Sequence, residues 1–354
     1  MINNHARKGV SCNPKYMATA LQKRYGNSIE IFWVSEYPES CRELDAMGIS
    51  VIRANSWEHV RKFFTAIIYI TNDSFPHWAR HRKNQLWINT WHGAMNYKHI
   101  GYDYLPAMSI LGRKLFRLKN RKPDIFVAGS RFFAEDTAES FRLPADIFLP
   151  CGLPRNDLFF KSDQIMRQRI LKELDVSDTK KVVLYAPTFR DSGRSSAYGM
   201  NFTQLRSALQ RRFGGDWVVL FRNHSFVTKE TGNTVDAKDV SEYPDMQELL
   251  LVADVLISDY SSCMWDFSLL KRPCFVYAPD LNDYQEHERN FAYPIERWPY
   301  PITKTNEDLM NCILHFKEKN YLEKLEKHHE DAGRLDDGMA TQRLLERINL
   351  SLLE

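Results

Sequence analysis

Residues 249–284 read LLLVADVLISDYSSCMWDFSLLKRPCFVYAPDLNDY. Within them, Val255–Ser258 is a short apolar run of strand length, Ser262–Leu270 has the length of a helix, and Cys274–Ala278 is a second apolar run. Strand, helix and strand in that order make the unit from which parallel sheets are built. In an open α/β sheet, ligands bind beyond the carboxyl ends of the strands. Asp259, Ser261 and Ser262 stand at such an end. A helix start there offers N–H groups and about half a positive charge, which suits a diphosphate. Taken alone, a serine pair is as readily an ordinary helix cap.

The same pattern extends outward in both directions. In the second half, Lys181–Ala186 runs into Pro187-Thr188-Phe189-Arg190, Trp217–Arg222 into Asn223-His224, and Cys274–Ala278 toward Asp280. If these strands are parallel, their polar ends share one crevice, to which Arg190, Arg222, His224 and Arg289 add positive charge. Asp266, near the start of the Ser262–Leu270 helix, can accept from ribose hydroxyls or simply complement the helix dipole. Helices are expected at Arg131–Phe141, Phe202–Arg212 and Met246–Val252, and two or three more in Glu307–Leu353.

In the first half, strands are expected at Ile29–Val34, Ser50–Arg53, Ala66–Thr71, Gln85–Thr90, Asp124–Ala128 and Ile147–Pro150. Alternating strands and helices predict an α/β protein, and 354 residues suit two domains. Gly, Pro and Asn-Asp in Cys151–Asp157 place the boundary there. The opening MINNHARKGV turns polar almost at once, so either the first strand is reduced or the start lies upstream. Trp91-His92-Gly93 follows the Gln85–Thr90 strand. A neutral His92 there can take the proton of an attacking hydroxyl, while the plainer reading is a loop histidine satisfied by hydrogen bonds. Lys98 is placed to hold an anionic acceptor, or is solvated.

Composition excludes several classes. The chain is 44% hydrophobic and 26% charged, as in soluble globular proteins. No apolar stretch approaches the ~18 residues of a membrane span and no signal peptide opens it, so a cytoplasmic location is expected. Six scattered cysteines without a C-x-x-C pair argue for reduced thiols rather than disulfides or zinc. A net charge of +3 gives no reason to expect nucleic acid. The phosphate-loop, dinucleotide-fold and hydrolase-elbow glycine motifs are missing. His77 and His81 in HWARHRK lack the glutamate of a zinc protease, and no D-x-D pair suggests a metal; no cofactor is expected.

Taken together, CNPKYM (Cys12–Met17), WHGAMNYKHIGYD (Trp91–Asp103), YAPTFRD (Tyr185–Asp191), FRNH (Phe221–His224) and the 249–284 stretch resemble the CDP-glycerol glycerophosphotransferase family. That family comprises teichoic-acid primases and polymerases and their capsule-building relatives. The resemblance implies a GT-B architecture, two Rossmann-like domains facing a central cleft, with C-terminal helices. Residues 1–155 would bind the acceptor and 156–354 the CDP-linked donor, the last helix packing back on the first domain. It implies transfer of a polyol phosphate, foremost glycerol phosphate, from a CDP-polyol to a hydroxyl of a lipid-linked or polymeric acceptor, with release of CMP. His92 would be the base and His224 a second catalytic histidine. Thr188, Arg190, Arg222, Asp259, Ser261, Ser262 and Arg289 would bind the donor, with Asp266 and Lys98 beside them. The sequence departs from the family at Ser225, where proline is usual, and at Asn290 and Ala292, where the family has R-G-F-Y.

Two other readings compete: a glycosyltransferase using a nucleotide sugar, and a non-catalytic membrane-surface or polymer-binding module. Arg113–Lys122 (RKLFRLKNRK) carries six basic residues and no acid among Leu115, Phe116 and Leu118. It is either a peripheral contact with the anionic inner face of the plasma membrane or an amphipathic helix with a solvated basic side.

Overall fold

The structure is a computed structural model that describes residues 1–4, 9–104, 109–188, 199–223, 236–287 and 290–353. It divides into two compact units. The first holds Met1–Met95, Ile100–Lys161 and the chain from Gly333 onward; the second holds Asn96–His99 and Ser162–Ala332.

Among the described residues, the first unit contains strands β1 (Ile2–Asn3), β2 (Phe32–Ser35), β3 (Ser50–Arg53), β4 (Ile68–Thr71), β5 (Leu86–Asn89), β6 (Ile125–Ala128) and β7 (Phe148–Pro150). They form one parallel sheet in the order β3-β2-β1-β4-β5-β6-β7. The runs FWVS, LWIN and IFVA are apolar nearly throughout because helices cover both faces of a parallel sheet. On one face Phe63 meets Tyr69, Trp78 and Trp87 edge-on, at centroid distances of 4.9, 5.2 and 5.7 Å. Aromatic pairs favour this geometry.

The first strand is two residues long yet lies mid-sheet, Ile2 pairing with both Trp33 and Ile70 and Asn3 with Val34 and Thr71. The chain runs β1-β2-β3 to one side and then β4 to β7 on the other. Asn3 and Asn4 therefore sit at the topological switch point, where polar side chains are wanted.

The second unit contains β8 (Lys181–Tyr185), β9 (Trp217–Phe221), β10 (Lys238–Asp239), β11 (Val255–Ser258), β12 (Cys274–Tyr277) and β13 (Ile302–Thr303) among its described residues. They too form a parallel sheet, in the order β10-β9-β8-β11-β12-β13, with its switch point between β8 and β11. The helix after β11 is shorter than its sequence suggests, Cys263–Ser268 rather than Ser262–Leu270. Leu269, Leu270 and Lys271 donate to carbonyls three residues back, tightening the last turn, and Lys271 ends it in the left-handed region (φ 55°).

The tail forms three helices, Asn306–Leu314, Glu318–Ala332 and Ala340–Leu353. Cys151–Asp157 is buried throughout. Leu153 N–H and Asn156 Nδ2 donate to Asp336 Oδ1, and the Asp157 carboxylate accepts the N–H groups of Ala340 and Thr341. The passage to the second unit comes after Lys161. All six cysteines are free, and burial pushes the Cys151 and Cys263 thiols up to about 12 and about 11, so both stay protonated.

Candidate active site

His92 follows β5 and is held from several sides within the first unit. Its Nδ1 lies 2.9 Å from the carbonyl oxygen of Asn72, the residue after β4. A carbonyl only accepts, so Nδ1 carries the proton and the basic lone pair is assigned to Nε2. The ring stacks on Trp91 with centroids 4.6 Å apart. Trp91 is in the left-handed region (φ 47°), a strained state for a bulky residue. Asn13 sustains it: its Nδ2 donates to the carbonyls of Thr90 and Trp91, and its Oδ1 accepts from Arg155 N–H. Arg155 closes the ring of contacts by donating to the His92 carbonyl at 2.9 Å. Asn13 and Arg155 come from CNPKYM and from the Cys151–Asp157 segment, so both segments serve to fix one imidazole.

In the second unit, the rim at the β8/β11 switch point gathers Thr188, Asp259, Ser261 and Ser262, with Arg222 at the end of the neighbouring β9. Asp259 is 1% exposed and works as a brace. Its carboxylate accepts Thr188 N–H at 2.9 and 3.1 Å and Tyr260 N–H at 2.6 Å. Ser258 Oγ ties the same two strand ends by donating to the Ala186 carbonyl. Ser261 Oγ accepts from Cys263 N–H at 3.2 Å, whereas Ser262, at the N-cap position, has helical dihedrals and makes no side-chain cap. Arg222 donates to the Tyr243 carbonyl; burial lowers its pKa from the usual arginine value, while Asp245 opposes that shift. Ser261, Ser262, Thr188 and Arg222 remain partly exposed.

Two more of the expected positions lie in the second unit. Asp266 is 2% exposed and accepts from Gln247 Nε2 at 2.9 Å. Lys98 belongs to the second unit, in the short segment Asn96–His99. Tyr97–His99 runs antiparallel to Asn290–Ala292, with Lys98 bridging Phe291, His99 N–H donating to the Asn290 carbonyl and Ala292 N–H to that of Tyr97. Lys98 Nζ lies 6.0 Å from the ring of Tyr284, which stacks on Tyr260 at 3.9 Å. His224, Arg190 and Arg289 lie outside the described residues.

Sequence reasoning missed the network beneath this rim. Tyr300 O–H donates to the Met264 carbonyl and so accepts from Tyr97, whose oxygen in turn accepts from His328 Nε2. Single buried tyrosines and histidines carry no periodic signal that would join them.

Two Rossmann-like units, one presenting an anchored imidazole and the other a hydroxyl- and arginine-bearing rim at a switch point, define a transferase of the GT-B class. The profile of the CDP-Glycerol:Poly(glycerophosphate) glycerophosphotransferase family matches residues 3–350, and the chain belongs to that family of enzymes. It is similar to the teichoic acid glycerol-phosphate transferase of Staphylococcus aureus, 31% identical over 294 residues, 79% of this chain and 75% of that protein. It is 28% identical over 369 residues to the teichoic acid poly(glycerol phosphate) polymerase of Staphylococcus epidermidis, covering 98% of this chain but 50% of that longer protein. Among solved structures, the wall teichoic acid polymerase TagF, in a histidine variant soaked with CDPG, superposes with a TM-score of 0.86. The two are 28% identical, and the match covers 99% of this chain and 88% of that one. Family membership supersedes the nucleotide-sugar and non-catalytic readings. The class of activity is glycerophosphate transfer from a CDP-linked donor.

Proposed function

We propose that this chain transfers glycerol phosphate from CDP-glycerol to a hydroxyl at the end of a membrane-linked or polymeric acceptor in teichoic-acid-like polymer synthesis. The acceptor oxygen attacks the β-phosphorus in line, a new P–O bond forms, and CMP departs with the electron pair of the broken bond. His92 Nε2 takes the hydroxyl proton. Thr188, Arg222, Ser261 and Ser262 hold the diphosphate, and Lys98 neutralises part of its charge. His224, Arg190 and Arg289 are assigned to the same donor through their family positions. Since CMP is a good leaving group, positioning and charge stabilisation matter more than acid catalysis. The observation that carries this reading is the Nδ1–Asn72 hydrogen bond, which sets His92 in the tautomer a base requires. Incubation with CDP-glycerol, CDP-ribitol and candidate acceptors, with CMP release as readout, tests it. Release from CDP-glycerol supports the proposal, and absence of CMP from every combination overturns it.

Attachment to an anionic membrane surface is the second part of the proposal. Among the described residues no helix is long and apolar enough to cross a bilayer. The Ile110–Lys119 helix buries none of its residues, and Ile110, Leu111 and Leu115 are 90, 67 and 41% exposed beside Arg113, Lys114 and Arg117. Apolar side chains flanked by basic ones suit insertion at a lipid headgroup layer.

A further inference from the structure

A cavity of about 380 Å³ opens at the head of the first sheet, a size in the range of small-ligand sites. Its lining comes from the carboxyl ends of four adjacent strands: Asn3 of β1, Glu36 after β2, Asn55 after β3, and Asp73 and Phe75 after β4, with Lys119 at one side. This is the β1/β4 switch point, the position at which open α/β sheets bind ligands.

The lining also states what that molecule must be. Glu36 and Asp73 bring carboxylate acceptors while Asn55, Ser74, His77 and Lys119 can donate, so the lining suits a partner whose groups both donate and accept, as hydroxyls do. Among the described lining residues, two carboxylates stand with one lysine and one histidine, a poorer match to a phosphate, which needs cations and N–H groups, than to a neutral partner. Phe75 adds an apolar face of the kind that covers a carbon skeleton. We infer that this cavity seats the neutral, polyhydroxylated end group of the acceptor, either a terminal sugar or a terminal polyol. The inference rests on the proposed transferase reading and deepens it. Asp73 is the residue after Asn72, which anchors His92, and Asn89 Nδ2 holds the Asp73 carbonyl at 3.1 Å. The loop after β4 thus both walls the cavity and holds the base.

The test uses the full chain and the variants Glu36→Gln, Asp73→Asn and the double substitution, each checked for an unchanged Tm. At saturating CDP-glycerol, CMP release is measured against two acceptors, a lipid-tailed glycoside ending in a neutral sugar and a glycerol-phosphate oligomer ending in glycerol. Loss of a charge-assisted hydrogen bond should raise the acceptor KM about 10-fold in each single variant, with the KM for CDP-glycerol unchanged. The acceptor whose KM moves identifies the source of the end group. Saturation-transfer NMR with methyl N-acetylglucosaminide and with glycerol, in the absence of donor, reads the same cavity without turnover. Contact with one probe in the wild type that vanishes in the double variant supports the site even if no CMP is ever released, in which case only the transferase reading fails. Acceptor KM values within about twofold of wild type for both acceptors in the double variant, or NMR contact that persists in it, would overturn the inference.

Discussion

The Nδ1–H of His92 and the backbone carbonyl of Asn72 meet at 2.9 Å, across twenty residues of sequence. Because the partner is a main-chain oxygen, no side-chain substitution at position 72 removes it, and the ring keeps its tautomer as long as β4 and β5 stay paired. Replacing the imidazole should therefore remove the base without disturbing the sheet. For His92→Ala we expect kcat to fall by about 10²- to 10⁴-fold, the usual contribution of a positioned base. The affinity for CDP-glycerol, measured by calorimetry, should stay near the wild-type value. Turnover at near wild-type rate would show that another group takes the proton.

Asp259 is a brace between two strand ends, and its loss should read differently. Removing its carboxylate leaves the N–H groups of Thr188 and Tyr260 without their acceptor. Each buried, unsatisfied donor costs roughly 1–3 kcal/mol. Asp259→Ala should lower the unfolding midpoint in urea and raise the KM for CDP-glycerol, since the rim that carries Ser261 and Ser262 loosens. A variant with wild-type Tm and a changed KM alone would instead make Asp259 a direct ligand of the donor.

Much of this architecture is readable in the sequence, and the reason is specific. Val255–Ser258, Cys274–Tyr277 and Lys181–Tyr185 are buried almost throughout, so each appears as an unbroken apolar run. The two-residue strands Ile2–Asn3, Lys238–Asp239 and Ile302–Thr303 are too short to show any period, and they were not legible. The Cys12–Tyr25 helix was also missed, since Asn13-Pro14 reads equally as a turn. His92 and the serine pair stood out because they follow strands. Their supports did not: Asn13 and Arg155 reach the Trp91–His92 backbone from 78 and 63 residues away. The bonds of Asp259 to Thr188 and Tyr260 and of Asp266 to Gln247 likewise carry no sequence signal.

Gly101 tests how tightly the segment after His92 is packed. Its φ is +60°, and a Cβ added there would lie 2.9 Å from the carbonyl carbon of Ser140 and closer still to its oxygen. Backbone cannot swing aside as a side chain would. Strain in the left-handed region adds roughly 1–2 kcal/mol to an overpacking cost of about 1–3 kcal/mol. Gly101→Ala should lower stability by a few kcal/mol in urea titration, and an unchanged midpoint would mean that the segment relaxes freely.

His328 gives a prediction in pH. Burial first, and His329 beside it, lower its pKa to about 3 from the ordinary 6.5. The Nε2–H that serves Tyr97 leaves a lone pair, not a proton, on the buried Nδ1 that lacks a partner. Between those two pKa values the unfolded chain binds a proton that the folded chain refuses. Stability must then fall as the pH drops below about 6.5, by up to ~1.4 kcal/mol per pH unit from this group. His328→Gln removes the titration while keeping a donor for Tyr97, so its Tm should vary less between pH 6.5 and 4.5 than that of the wild type. Parallel curves would assign the acid sensitivity to other groups.

The exposed helix Ile110–Lys119 allows charge and apolar contact to be separated. Each basic residue near an anionic leaflet contributes about 1 kcal/mol, so reversing Arg113, Lys114 and Arg117 to glutamate removes about 3 kcal/mol of attraction and substitutes repulsion. Flotation with vesicles containing phosphatidylglycerol should recover the wild type and lose the triple variant, and about 0.5 M salt should release the wild type by screening. Leu111→Ser and Leu115→Ser change no charge, and the contact they remove is insensitive to salt. If the helix lies in the headgroup layer, the double serine variant should bind more weakly at low salt and dissociate at a lower salt concentration than the wild type. If the basic face only guides an anionic polymer, flotation will be absent in every variant, while the charge reversal alone will slow elongation of a polymeric acceptor.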